Sequence, residues 1–174
     1  VFNRESWYQK GTALNPIVQA MNNYVVAYGM YSLTLLVDLD GRVIAANDIS
    51  ATSQPLDTEW IYGENFSDAT WFKDSLAGNF YTKAGSLTGT VVEDLYQDSM
   101  VKQVYGDEGL TLGFSAPVKS PQGETIAVWK NFAQFSLVEG VLADSYNSLS
   151  EQGFVSAQLT LFDSAGRVIV DLDP

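Results

Sequence analysis

The stretch from Gly109 to Gln134 limits what this chain can become more than any other. Its first arm, Gly109-Leu-Thr-Leu-Gly-Phe-Ser-Ala-Pro-Val118, and its second, Thr125-Ile-Ala-Val-Trp-Lys-Asn-Phe-Ala-Gln134, flank the segment Lys119-Ser-Pro-Gln-Gly-Glu124. Both arms are rich in the apolar, β-branched and aromatic residues that suit a pleated, half-buried surface. Helix is disfavoured in the first by Gly113 and Pro117, and in the second by its β-branched and aromatic side chains. The Pro/Gly segment between them reverses the chain in a few residues. The two arms are expected to be central strands of an antiparallel sheet, with the rest of the chain as cover or neighbour.

Ahead of this hairpin, Phe2 to Lys10 is largely polar, with Trp7 and Tyr8, and reads as the frayed end of a longer helix. Asn15-Pro16 is a helix start, with Asn to cap free amides and Pro where no hydrogen bond is lost. Ile17, Met21, Tyr24, Val25 and Tyr28 then share one face, and Gly29 is placed to end the helix. The segment Leu33 to Asn47 reads as strand, Asp-Gly turn, strand. Asp38-x-Asp40-Gly41 also has the look of a calcium loop, but Arg42 stands where a third oxygen ligand belongs and Ile49 replaces the closing Glu. The turn is the better reading. Ser67-Asp68 is positioned to cap a short helix carrying Trp71, Phe72, Ser75 and Leu76, closed by Gly78. From Asn79 to Glu108 the pattern weakens to an irregular segment with Val91-Val92 as a short strand, the kind of stretch that often serves a site.

Behind the hairpin, Ser136-x-x-Glu139 is a capping-box signature, followed by Leu137, Val138, Val141, Leu142, Tyr146 and Leu149 at helical spacing, with Gly153 to stop them. The end of the chain repeats its beginning. Asp163-x-x-Gly166-Arg167-Val168-Ile169 matches Asp38-x-x-Gly41-Arg42-Val43-Ile44 residue for residue. A repeat at this separation argues for tandem modules: residues 1–153 form a complete one with its flanking helices, and 154–174 the opening hairpin of a second that is cut short.

Composition excludes several functions. The net charge of −12, from 9 basic and 21 acidic residues, opposes binding to nucleic acid or anionic lipid, both of which need clustered Lys and Arg. There is no Cys for disulfides or thiolate sites and no His, the commonest general base and transition-metal ligand. No apolar run is long enough to span a membrane. The first residue is Val, and the chain reads as a piece of something longer. No phosphate-cradling loop, nucleophile elbow or carboxylate pair stands out, so no catalytic residue, metal site or cofactor is assigned.

The order of parts resembles a Cache domain, the extracytoplasmic PAS-like sensor module of bacterial receptors. The resemblance runs from the opening helix through Val37-Asp-Leu-Asp-Gly-Arg-Val-Ile-Ala45, the Trp71-Phe72 helix, Phe114-Ser-Ala-Pro-Val118 and Gly123-Glu-Thr-Ile-Ala-Val-Trp129 to the restarted Asp-x-x-Gly-Arg hairpin. It implies an α+β fold, with a central antiparallel sheet flanked by an N-terminal helix and a helical or irregular pocket segment. It also implies the periplasmic part of an inner-membrane receptor, most often a methyl-accepting chemotaxis protein. The partners it implies are a small-molecule ligand, the receptor's own transmembrane and cytoplasmic parts, and a second copy in a homodimer. A histidine kinase or diguanylate cyclase sensor, and a structural or dimerisation module without ligand, are the alternatives. Amino-acid-binding members carry an Arg two residues before a Trp-aromatic pair. Here Ala69 holds that position, which removes the usual fork for a ligand carboxylate.

The resemblance places the cavity between the sheet and the irregular segment. Trp71, Phe72, Tyr81 and Tyr96 are the candidate walls. Period-two alternation gives the second arm two faces, one with Ala127, Trp129, Asn131 and Ala133, the other with Ile126, Val128, Lys130, Phe132 and Gln134. The Trp129/Asn131 face, joined by Ser115 if the register allows, is the preferred pocket lining. Lys130 is the rival, because a Lys in an apolar strand is costly unless paired, and it favours an acidic ligand. Glu93, Asp94 and Asp98 offer carboxylates for a cation or amine.

Overall fold

The computed structural model describes residues 4–82, 89–163 and 165–172. They form two compact units, residues 1–133 and 134–174. The irregular segment expected over 79–108 lies partly outside the described residues, at 83–88.

In the first unit the elements are α1 (Pro16–Tyr28), β1 (Tyr31–Val37), β2 (Val43–Ala46), α2 (Thr70–Ala77), β3 (Val91–Gln97), α3 (Ser99–Tyr105), β4 (Leu110–Lys119) and β5 (Thr125–Gln134). The sheet order is β2-β1-β5-β4-β3, so the last strand is the middle one. The hairpin of β4 and β5 turns where Gly123 adopts φ 85° and the Ser120 amide donates to the Glu124 carbonyl at 2.8 Å. β5 closes the sheet against β1 in antiparallel register, with Leu33 opposite Phe132, Leu35 opposite Lys130 and Leu36 opposite Trp129. That pairing joins residues about a hundred positions apart and fixes which side chains face which way, since a slip of one would invert every face.

Each face has its own cover. On one, Leu33, Leu35, Val37, Val128 and Phe132 pack with Trp71 and Phe72 of α2, Val101 of α3 and Ile61. On the other, Ile17, Val18 and Met21 of α1 pack with Ile44, Ala45 and Ala127, and Leu36 and Trp129 lean against them. Full burial of such side chains stabilises by roughly 1.5–3 kcal/mol each before entropy is charged against it. α1 starts as the sequence indicates. Asn15 Oδ1 accepts from the Ile17 amide at 3.0 Å while its Nδ2 donates to the Ile44 carbonyl at 2.9 Å, so one buried side chain both caps the helix and pins it to β2. Gly29 ends it at φ 67°.

Four local expectations give way. Ser67 and Asp68 do not cap α2, whose N-cap is Ala69 with no side-chain bond; Asp68 pairs instead with Lys73 at 2.9 Å. Val91-Val92 is the start of a seven-residue strand, followed by α3, which Asp98 caps by accepting from the Met100 and Val101 amides. The alternation was hidden because β3 is half exposed and its register shifts between Glu93 and Tyr96. The segment around Tyr8 is no frayed helix beyond the short turn at Arg4–Ser6: the Tyr8 hydroxyl donates to Asp38 at 2.7 Å and its amide to the Ile44 carbonyl. In the second unit, α4 (Phe135–Glu151) begins one residue before Ser136, which leaves the capping box inside the helix, and Gln134 is the N-cap.

The second unit adds the antiparallel pair β6 (Leu159–Phe162) and β7 (Val168–Leu172). Its turn reproduces that between β1 and β2. Asp163 Oδ1 accepts from the amides of Ala165 and Arg167, as Asp38 Oδ1 does from those of Asp40 and Arg42. Both Arg side chains return through Nε to their Asp, and Gly41 and Gly166 share a left-handed backbone (φ 83° and 77°). The matched sequence is thus a matched structure.

Candidate functional site

Lys130 lies in the middle of β5 with no exposed surface, among the most completely buried large side chains of the chain. Alternation along the strand sends it to the face covered by α2 and α3, where Val128 and Phe132 flank it in the core. Its Nζ stands over three aromatic rings, 5.3 Å from the centre of Trp71, 5.9 Å from Tyr96 and 5.1 Å from Phe132. Such rings present their negative faces to a cation and offset part of its lost hydration. Its counter-ion is Glu93 on β3, in direct ion-pair contact through Oε2. An ammonium has three donors, and Glu93 is the one ion-pair partner of Nζ among the described residues. Burial lowers the Lys130 ammonium from its ordinary value to about 7, and the carboxylate in contact works in the opposite direction.

The space for this pair comes from Gly113, which pairs with Glu93 across β3 and β4. A Cβ on that glycine would overlap both Glu93 Oε2 and Lys130 Nζ. The glycine is therefore explained by close approach rather than by backbone shape.

Ser115, two residues on, has the same facing and is buried. Its hydroxyl lies 2.9 Å from that of Ser75, which donates back along α2 to the Trp71 carbonyl at 2.7 Å. Ser75 also lines a cleft of about 340 Å³ at the C-terminal end of α2, whose further walls include Leu76, Phe80, Pro117, Lys119 and Thr125. Trp71 meets Phe72 edge to face at 5.9 Å. The Tyr96 hydroxyl is pushed up by burial and by the neighbouring Asp98, and Asp98 is itself raised by burial.

The sequence candidates thus divide. Trp71, Phe72, Tyr96, Ser115 and Lys130 share one side of the sheet. Trp129 and Asn131 occupy the other, beneath α1, where Asn131 Oδ1 accepts from Trp129 Nε1 at 2.7 Å and from Thr34 Oγ1 at 3.1 Å, and Nδ2 donates to the Tyr24 hydroxyl at 3.0 Å. That amide has partners on both of its ends. Tyr81 is exposed, its amide bound to the Thr90 carbonyl at the start of β3, and it is not among the rings around Lys130. Phe132, Gly113 and Ser75 join the site without having been singled out for it. Reading β3 to its full length would have set Glu93 opposite Gly113 and exposed the missing partner of Lys130.

Among the described residues no group of three or more Asp and Glu side chains is arranged to hold a metal ion, and no helix is long and apolar enough to cross a membrane.

No protein-family model matches the sequence, and no curated protein matches it. Among solved structures, the chain is similar to the ligand-binding domain of the Pseudomonas aeruginosa PAO1 amino acid chemoreceptor PctC, solved in complex with GABA. The identity is 20%, the TM-score 0.53, and the match covers 93% of this chain and 58% of that one. What the chain shares with that domain is its fold, an α+β arrangement in which helices cover a five-stranded antiparallel sheet.

Proposed function

We propose that this chain is the extracytoplasmic sensor part of a bacterial transmembrane receptor, and that it binds a small organic molecule on the Lys130 face of its sheet. The single observation that carries the reading is Lys130 itself: a fully buried cation, ringed by Trp71, Tyr96 and Phe132, with one tethered carboxylate as partner. Core packing alone is better served by a hydrophobic residue at such a position. Apolar walls with a few convergent polar groups are the general form of a ligand site.

The ligand's anionic end faces Lys130, which stands in for the Arg that Ala69 replaces. A neighbour of the same fold holds GABA, a molecule with such an end. The receptor class is a chemoreceptor, and residues 154–174 open a second module. The reproduced Asp163 turn supports the latter. β5 carries Lys130 on one face and the Asn131–Tyr24 link to α1 on the other, giving ligand occupancy a short route to the helix.

A thermal-shift screen of the chain against organic acids, amino acids, amines, sugars and nucleobases tests this. Binding to the native state alone raises the melting midpoint by mass action. A carboxylate-bearing hit that disappears in Lys130→Met supports the assignment; hits confined to compounds without an anionic group would overturn it.

A further inference from the structure

Glu93 supports an inference that rests on the Lys130 face being the ligand face. It sits on β3, an edge strand, and reaches across Gly113 to the buried ammonium. Its side chain keeps 26% exposure while that of Lys130 keeps none, so this one carboxylate spans from the buried cation to solvent. The register shift between Glu93 and Tyr96 breaks the ladder next to it, and a bulged edge moves more readily than a regular paired strand. Apart from Glu93, the ammonium meets ring faces, which accept no conventional hydrogen bond. Charge balance in this apolar setting needs one anion, and among the described residues Glu93 is the ion-pair partner that supplies it.

We propose that Glu93 is a built-in surrogate for a ligand's carboxylate: it fills the anion position on Lys130, and an anionic ligand group takes that position by displacing it. Two consequences follow. The site rejects weak anions, because each must compete with a carboxylate tethered at high effective concentration. Displacement also frees Glu93 to pull on β3, which leads through Asp98 into α3.

Acetate is the probe. Glu93→Ala deletes the surrogate and leaves a gap in which acetate fits against Lys130. At a pH below the Lys130 value, the variant is expected to melt several degrees lower than the native chain, and acetate is expected to restore several degrees relative to chloride at equal ionic strength. The restoration is expected to vanish in Glu93→Ala/Lys130→Met, and in Glu93→Gln, whose amide still fills the position. If Glu93→Ala does not fold unaided, refolding yield in acetate against chloride reads the same contrast. Acetate that leaves Glu93→Ala unchanged, or that acts equally on the double variant, overturns the proposal. The outcome is separable from that of the ligand screen. Acetate rescue together with a hit indifferent to Lys130→Met would retain an anion position on Lys130 but refute the ligand face, and with it the displacement of Glu93 by ligand.

Discussion

Asn131 Nδ2 donates to the Tyr24 hydroxyl at 3.0 Å, and this bond joins the central strand to α1 across the interface opposite Lys130. The same amide accepts from Thr34 and Trp129. Tyr24 in turn stacks on Tyr31 with ring centres 5.3 Å apart and meets Trp129 edge-on at 5.6 Å. At this point the helix is held by a polar anchor inside an aromatic group, in addition to the bond that Asn15 makes to β2.

Removing that anchor should cost more than its hydrogen bonds alone, because buried partners are left unsatisfied at about 1–3 kcal/mol each. Asn131→Ala is expected to lower stability by about 2–4 kcal/mol, and Tyr24→Phe by about 1 kcal/mol. Urea denaturation followed by far-ultraviolet circular dichroism measures both.

Gly113 gives a sharper test of the site's geometry. A methyl group there meets the Glu93 carboxylate and the Lys130 ammonium together, and overpacking typically costs about 1–3 kcal/mol. Gly113→Ala should therefore destabilise the native chain, and cost clearly less in a Glu93→Ala background. A double-mutant cycle reads the difference as a coupling energy. Additive effects would mean the two residues do not share the space.

Lys130 should make stability depend on pH in a particular window. Burial lowers its folded value to about 7, while the unfolded lysine titrates near ~10.4. Between those values the unfolded chain binds the extra proton, so stability rises with pH, by at most about 1.4 kcal/mol per pH unit for one proton. Lys130→Met is expected to flatten that rise. Denaturation midpoints from about pH 6 to about pH 9 provide the measurement, and a native curve parallel to that of Lys130→Met would contradict it.

Asp38 acts in the opposite range. Burial alone would raise its carboxyl, but the Tyr8 hydroxyl, the amides of Arg42 and Asp40 and the Arg42 charge together hold it below the ordinary value. Its contribution is complete above the unfolded value of ~3.9 and is lost as pH falls through the folded one. Asp38→Asn should destabilise the chain at neutral pH and make its acid limb shallower, as read by acid titration of the circular dichroism signal.

Most of the fold was legible because its signals are local. Asn15-Pro16, the turn at Gly41 and the long arms around Gly123 each specify their element through backbone chemistry that tolerates few substitutes. Cap assignments failed at Ser67, Asp68 and Ser136: all are good N-cap residues, yet the helices begin at Thr70 and Phe135, after Ala69 and Gln134, neither of which makes a side-chain cap bond. β3 was seen only at Val91-Val92 because a half-exposed edge strand with a register shift has no clean alternation. The two faces of β5 were read correctly as sets, yet alternation gives no sign of which set meets α1. That depends on strand order, which β5 pairing with β1 settles at long range. Glu93 went unmatched to Lys130 for the same reason: the two are brought together by strands that are not neighbours in the sheet, with Gly113 between them.

The central claim is that a small molecule places its anionic group on Lys130. Calorimetric titration of a carboxylate-bearing ligand from the screen into the native chain and into Lys130→Met tests it directly. Loss of a charge-assisted contact to a buried ammonium is worth roughly 2–5 kcal/mol, so affinity should fall about thirtyfold or more, while Trp129→Phe, on the opposite face, should bind as the native chain does. Equal affinity for the native chain and Lys130→Met, with loss in Trp129→Phe, would place the ligand on the other side of the sheet and contradict the account.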